Sequence, residues 1–207
     1  MNRDSIYLAL GDSLTVGYGA PQGQGFVDHY HMALQQKRNK ELNCFNQGVN
    51  GATTGDILEL IRRDADIREY IRKAEVITLT AGGNDLLQAA IPYIFDGRTT
   101  DFIPALVTFQ RNYRKIISDI QEIKSESAQP FALKLIGLYN PIPSVQASDF
   151  WVKTFNTHIS KCADRRVHFV NVYDAFVGNE TEYLFEDQVH PNELGYRAIA
   201  EQVKKSD

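Results

Sequence analysis

Apolar residues along this chain of 207 follow two different spacings, and the change from one to the other predicts an order of elements. Short runs rich in β-branched, aromatic and leucine residues, several of them nearly continuously apolar, occupy 5–10, 42–46, 75–80, 131–138 and 167–172. Unbroken apolarity over about four to eight residues suits a strand covered on both faces. Between the runs the apolar positions recur every three or four residues. Over 101–124 these are Phe102, Leu106, Phe109, Tyr113, Ile116, Ile117, Ile120 and Ile123, a single stripe along a helix. Segments 149–163 and 192–205 repeat the pattern at shorter length. Strands alternating with helices predict a parallel sheet with helices on both faces, an α/β sandwich. No repeat, low-complexity tract or linker divides the chain, so one domain over 1–207 is expected.

Composition narrows the partners. A net charge of -4 gives no electrostatic reason to expect nucleic acid or an anionic membrane. Arg62-Arg63 and Lys204-Lys205 are local basic pairs that suit solvated helix faces. No apolar stretch approaches the roughly 20 residues of a membrane span, so no integral membrane segment is expected. The start, MNRD, leads directly into a strand-like run without a secretory apolar region, which predicts a cytoplasmic protein. Cys44 and Cys162 make no CxxC motif and are expected as free buried thiols. His29, His31, His158 and His168 have no metal-ligand spacing, and neither a metal nor another cofactor is expected. Oligomeric state is open.

Ligands of open α/β sheets collect beyond the carboxyl ends of the strands. Those ends carry GDS at 11–13, NQGVNG at 46–51, AGGND at 81–85 and LYNPIPS at 138–144. Ser13 stands where a strand gives way to a helical turn, whose free N–H groups favour an oxyanion. A serine there is equally an N-cap, and a nucleophilic role requires a base. The candidate base is His190 in DQVHP at 187–191. Two residues separate it from Asp187, so the carboxylate can fold back onto the imidazole and leave the other ring nitrogen for Ser13. A surface turn ahead of a capped helix explains the same pattern. Gly51, in a glycine-rich turn, and Asn84, after Gly82-Gly83, are candidate hydrogen-bond donors for the oxyanion.

Four blocks in order, GDSLTVGYG (11–19), NQGVNGATTGD (46–56), AGGND (81–85) and DQVHP (187–191), resemble the GDSL esterase/lipase family, in its SGNH-hydrolase branch. The resemblance implies a flavodoxin-like α/β/α sandwich around five parallel strands. It implies Ser13 as nucleophile, His190 as base and Asp187 as the residue orienting it. It implies an oxyanion hole made of the Ser13 N–H, the Gly51 N–H and the Asn84 side chain. The GxSxG elbow of α/β-hydrolases is absent, since Leu14 and Thr15 follow Ser13. Asp12, Asp85, Asn46 and Asp56 are expected to hold their loops through backbone N–H groups.

Acyl-ester hydrolysis of a small-molecule ester through a covalent intermediate is therefore expected. Residues 86–95, LLQAAIPYIF, form either a wall or cover for an acyl chain or a helix packed into the core. On the first reading Leu14, Leu86, Ile91, Tyr139, Ile142 and Val189 touch the substrate. A carbohydrate O-deacetylase, with Trp151 as sugar platform, and a thioesterase are alternatives within the same chemistry. A nucleotide- or flavin-binding protein and an inactive scaffold are alternatives outside it. The first of these lacks GxGxxG and leaves DxxH without a purpose.

Overall fold

A computed structural model describes residues 5–127 and 129–207. Its strands are β1 (Ile6–Gly11), β2 (Asn43–Gly48), β3 (Val76–Thr80), β4 (Ala132–Ile136) and β5 (Val167–Val170). They form one sheet in the order β2-β1-β3-β4-β5, every neighbouring pair parallel. That is the flavodoxin-like order, with its switch point between β1 and β3. The helices are α1 (Ser13–Val16), α2 (Phe26–Arg38), α3 (Thr54–Arg63), α4 (Ala65–Lys73), α5 (Gly83–Asp96), α6 (Phe102–Ser125), α7 (Ser148–Ser160), α8 (Tyr173–Phe176), α9 (Glu180–Tyr183) and α10 (Glu193–Lys205).

Two layers of side chains explain why the strand segments are apolar throughout. Successive residues of a strand point to opposite faces, so Leu8 and Leu10 enter one core while Tyr7 and Ala9 enter the other. The first core packs against α3, α4, α6 and α7 through Ile57, Ile71, Ile116, Ile120 and Phe155. The second packs against α2 and α10 through Phe26, Tyr30, Leu34, Tyr196, Ile199 and Val203. Both faces of the inner strands β1, β3 and β4 are covered, as a parallel sheet requires, while the edge strand β2 (NCFNQG) stays partly exposed.

Two departures from the sequence pattern bear on the site. The apolar run at 131–138 outlasts the ladder, which ends at Ile136. Beyond it, Leu138 N donates to Asn156 Oδ1 at 2.7 Å, and Asn156 Nδ2 donates to Leu138 O at 2.7 Å. One side chain of α7 thus stands in for a neighbouring strand and turns residues 138–142 toward the sheet's carboxyl rim. The second departure is residues 86–95, which combine the two alternatives. They lie in helix α5, which buries Asp85 and Ala89 while Leu86, Leu87 and Ala90 line a cavity.

Candidate active site

β1 delivers Ser13 to the rim. Its last residue, Gly11, has φ +152, and a Cβ there would lie 2.1 Å from Thr80 Oγ1, so only glycine lets the chain turn against β3. Asp12 caps α1, its Oδ1 accepting from Leu14 N at 3.0 Å and from Thr80 Oγ1 at 2.8 Å. Thr15 Oγ1 lies 2.8 Å from Thr80 Oγ1 and donates to Leu10 O. These buried bonds hold the turn that carries Ser13. Burial pushes the Asp12 carboxyl up, against the bonds from Leu14 and Thr80. As the first residue of a helical turn, Ser13 has an N–H without an intrahelical acceptor.

The chain returns to this point 177 residues later, where Ser13 Oγ and His190 Nε2 lie 2.9 Å apart. On the far side of the ring, His190 Nδ1 is 2.6 Å from Asp187 Oδ2. Facing a carboxylate, Nδ1 carries the proton, which leaves Nε2 to accept from the serine hydroxyl. The other carboxylate oxygen, Asp187 Oδ1, accepts from Val189 N and His190 N, both at 2.9 Å. Burial tends to raise the Asp187 pKa, but the bonds from His190 and Val189 outweigh it and hold the carboxyl below its ordinary range. The DxxH pair is therefore a closed loop in which aspartate binds both the imidazole and the backbone beneath it.

Several residues whose part the sequence did not reveal complete this arrangement. Phe185 N donates to His190 O at 2.7 Å, and Gln188, at φ 58, makes the tight turn between aspartate and histidine. Tyr139 OH donates to Val189 O at 2.6 Å, while its ring stacks on Phe176. The Tyr18 ring lies 4.6 Å from the His190 ring, and Tyr196 OH donates to Tyr18 O at 2.7 Å. Tyr18, Tyr139 and Gln188 lie inside blocks that the sequence singled out, but nothing there marked the Tyr18 ring as a wall for histidine, the Tyr139 hydroxyl as a tie to Val189 or Gln188 as the left-handed turn.

The turn that holds Gly51 and the start of α5, which holds Asn84, are tied together. Asn84 Nδ2 donates to Ala52 O at 2.9 Å, which spends one of its two N–H bonds and leaves the second free to turn toward a ligand. Asp85 Oδ2 accepts from Thr54 N at 2.9 Å and Asp85 Oδ1 from Thr54 Oγ1 at 2.5 Å, joining the start of α3 to the start of α5. Asn84 lines the same cavity as Ser13 and His190, whereas Gly51 does not. Gly51 has φ +77 with open space where a Cβ would point, and it precedes Ala52, whose carbonyl accepts from Asn84 Nδ2. Asn46, which donates to Thr15 O and accepts from Gly48 N, and Asp56, which accepts from Thr53 N, hold the same loops.

The cavity encloses about 150 Å³ beside Ser13. Of the residues expected to touch substrate, Leu14, Leu86, Tyr139, Ile142 and Val189 line it. Ile91 does not; its side chain is 46% exposed. The reason is helical phase. Beyond the first turn of α5, which itself borders Ser13, Leu86, Leu87 and Ala90 share one face at roughly 100° per residue, and Ile91 falls about 40° outside Leu87. Leu87, Ala90, Leu138, Trp151 and Val152 complete the wall. Trp151 stacks on Phe102 with ring centroids 4.6 Å apart, so one face of the indole is already covered.

A doubly wound sheet with a serine, a histidine and an aspartate in hydrogen-bonded series at its carboxyl rim defines a hydrolase-type site. Residues 9–198 match the GDSL-like lipase/acylhydrolase family. The chain is 37% identical to the spore germination lipase LipC of Bacillus licheniformis over 200 residues, covering 96% of this chain and 94% of that protein. It is 36% identical to the crystal structure of the lipase Lip_vut3 from a goat rumen metagenome, with TM-score 0.92 and coverage of 98% and 97%. A lipolytic G-D-S-L family protein of Veillonella parvula, 21% identical with TM-score 0.70 and 97% coverage of both chains, shares the fold. This chain belongs to the GDSL-like lipase/acylhydrolase family and is a carboxylic ester hydrolase.

Proposed function

We propose that the protein cleaves small-molecule esters of short- to medium-chain acids through Ser13, His190 and Asp187. The observation that carries this reading is the unbroken series from Ser13 Oγ through His190 to Asp187, at 2.9 and 2.6 Å. Ser13 Oγ attacks the ester carbonyl as His190 Nε2 takes its proton, forming a C–O bond and an oxyanion. The Ser13 and Gly51 N–H groups and the Asn84 amide donate to that oxygen. Collapse expels the alcohol, which takes the proton from His190. Water then repeats the sequence on the acyl-enzyme, the same histidine acting as base, and frees the acid and Ser13. Asp187 stays ionised throughout and stabilises the imidazolium.

The cavity wall supports an aliphatic acyl group over a sugar. Leu14, Leu86, Leu87, Ile142 and Val152 offer apolar contact, and Trp151 is already engaged by Phe102. Hydrolysis of p-nitrophenyl esters of rising chain length tests this. We expect turnover to improve beyond acetyl, Ala90→Trp to shift the optimum toward acetyl, and Ile91→Trp to leave it unchanged. Absence of turnover for every ester would overturn the reaction, and indifference to Ala90→Trp would overturn the acyl site.

Asn84→Ala separates transition-state stabilisation from binding. The expected loss is on the order of 100- to 1000-fold in kcat, with KM nearly unchanged, because the amide matters most once the oxygen is charged. Steady-state kinetics beside a thermal melt check this. A loss confined to KM would remove Asn84 from the oxyanion hole.

A further inference from the structure

The large apolar side chains that this protein leaves exposed are not scattered. Among the described residues, Ile91, Ile94 and Phe95 of α5, Ile103 and Val107 of α6, and Phe150 of α7 make up half of the twelve exposed ones. Phe95 is 80% exposed, Phe150 62% and Ile103 60%. Single exposed apolar residues are ordinary on a soluble surface, but six concentrated on three successive helices joined by ring contacts are not.

The group continues the cavity. On α5 the face that lines it, Leu87 and Ala90, runs on to Ile94 one turn beyond. Pro92 lies near that end of the helix and cannot donate to the carbonyl of Gln88. Beneath it runs a chain of rings. Tyr93 meets Phe102 at 5.7 Å, Phe102 stacks on Trp151, and Trp151 meets Phe150 at 5.2 Å. Trp151 also lines the cavity, so the apolar wall beside Ser13 and the exposed shelf share one framework.

We propose that this shelf seats the enzyme on an uncharged lipid surface, the face of packed or emulsified ester molecules. The inference rests on the acyl reading of the cavity, whose wall the shelf extends. Charge selects the kind of surface. The ionic groups around the shelf balance: Arg98 is paired with Asp96 and Asp101 at 3.3 and 4.0 Å, Lys153 with Asp149 at 3.3 Å, and Arg111 is exposed one turn beyond Val107. With those charges balanced and a net charge of -4 for the chain, no basic cluster there favours an anionic headgroup. Apolar area alone supplies the binding.

The test separates seating from chemistry. Ser13→Ala protein is sedimented with phosphatidylcholine vesicles, alone and carrying Phe95→Ser with Ile103→Ser. Partition of the parent and a loss of about tenfold or more in the double variant are expected. Adding phosphatidylserine should give no tighter binding. In the active protein, the two serine substitutions should lower hydrolysis of emulsified trioctanoin and leave that of dissolved p-nitrophenyl butyrate unchanged. Absence of partition, or partition indifferent to the double variant, overturns the proposal. So does a concentration-dependent dimer that the double variant dissociates, since a second copy would then occupy the shelf. Because partition is read on the Ser13→Ala protein, its outcome does not depend on the assignment of the nucleophile.

Discussion

Ser13→Ala is expected to lower kcat by on the order of 10⁵- to 10⁶-fold while the protein stays folded. Loss of a triad serine removes the covalent route entirely, and what remains comes from the oxyanion donors and from substrate binding. Structure should survive because the side-chain bond given up is the single contact to His190 Nε2, a cost of about 1 kcal/mol. The turn itself is held by Asp12, Thr15 and Thr80. Two measurements decide the matter: turnover of a medium-chain p-nitrophenyl ester, and mass spectrometry after exposure to an organophosphonate. The natural protein should carry the phosphonyl group on Ser13 and the variant should carry none. Retained turnover, or rapid labelling elsewhere in the variant, would exclude the assignment.

The second large effect concerns a residue that never touches substrate. Asp187→Asn should cost about 10⁴-fold in kcat, the scale known for the same change in a serine triad. The amide oxygen can still accept from Val189 N and His190 N, so the loop keeps its shape. Its NH₂ group then faces His190 Nδ1, which must accept, and the ring proton moves to Nε2. There it points at Ser13 Oγ instead of receiving from it. A fall in kcat with an unchanged melting temperature at neutral pH supports a positioning role for Asp187. A loss of fewer than about ten-fold would mean that the histidine keeps its tautomer without the carboxylate, contrary to the mechanism.

Acid stability offers a second readout of the same group. The folded-state pKa of Asp187 lies below its unfolded value, which is near 3.9. Its contribution to stability is therefore complete above about pH 4 and disappears as pH falls through the lower, folded value. Urea midpoints measured downward through that window should fall more steeply for the natural protein than for Asp187→Asn.

How legible these features were in the sequence depended on the distance between cause and effect. The inner strands could be placed because each must be apolar on both faces, and that constraint writes itself into consecutive residues such as those of β1 and β3. The DxxH pair was readable because two intervening residues close a local loop. Ile91 was misplaced because the segment 86–95 is apolar at nearly every position. Composition alone then gives no phase, and the phase of α5 is set by packing of Asp85 on Thr54 and Ala89 on its neighbours. The strand end at Leu138 was overrun for a related reason, since its ladder partner is the side chain of Asn156, eighteen residues away.

By itself, then, the amino-acid order determined the α/β class, the number of strands and the loops able to carry chemistry, because these follow from burial and turn chemistry over a few neighbouring residues. Only the tertiary structure decided that Ser13 and His190 meet across 177 positions, that Tyr18 walls the imidazole, and which face of α5 lines the cavity. Contacts of that range are set by how helices pack on the sheet, and no local pattern of residues records them.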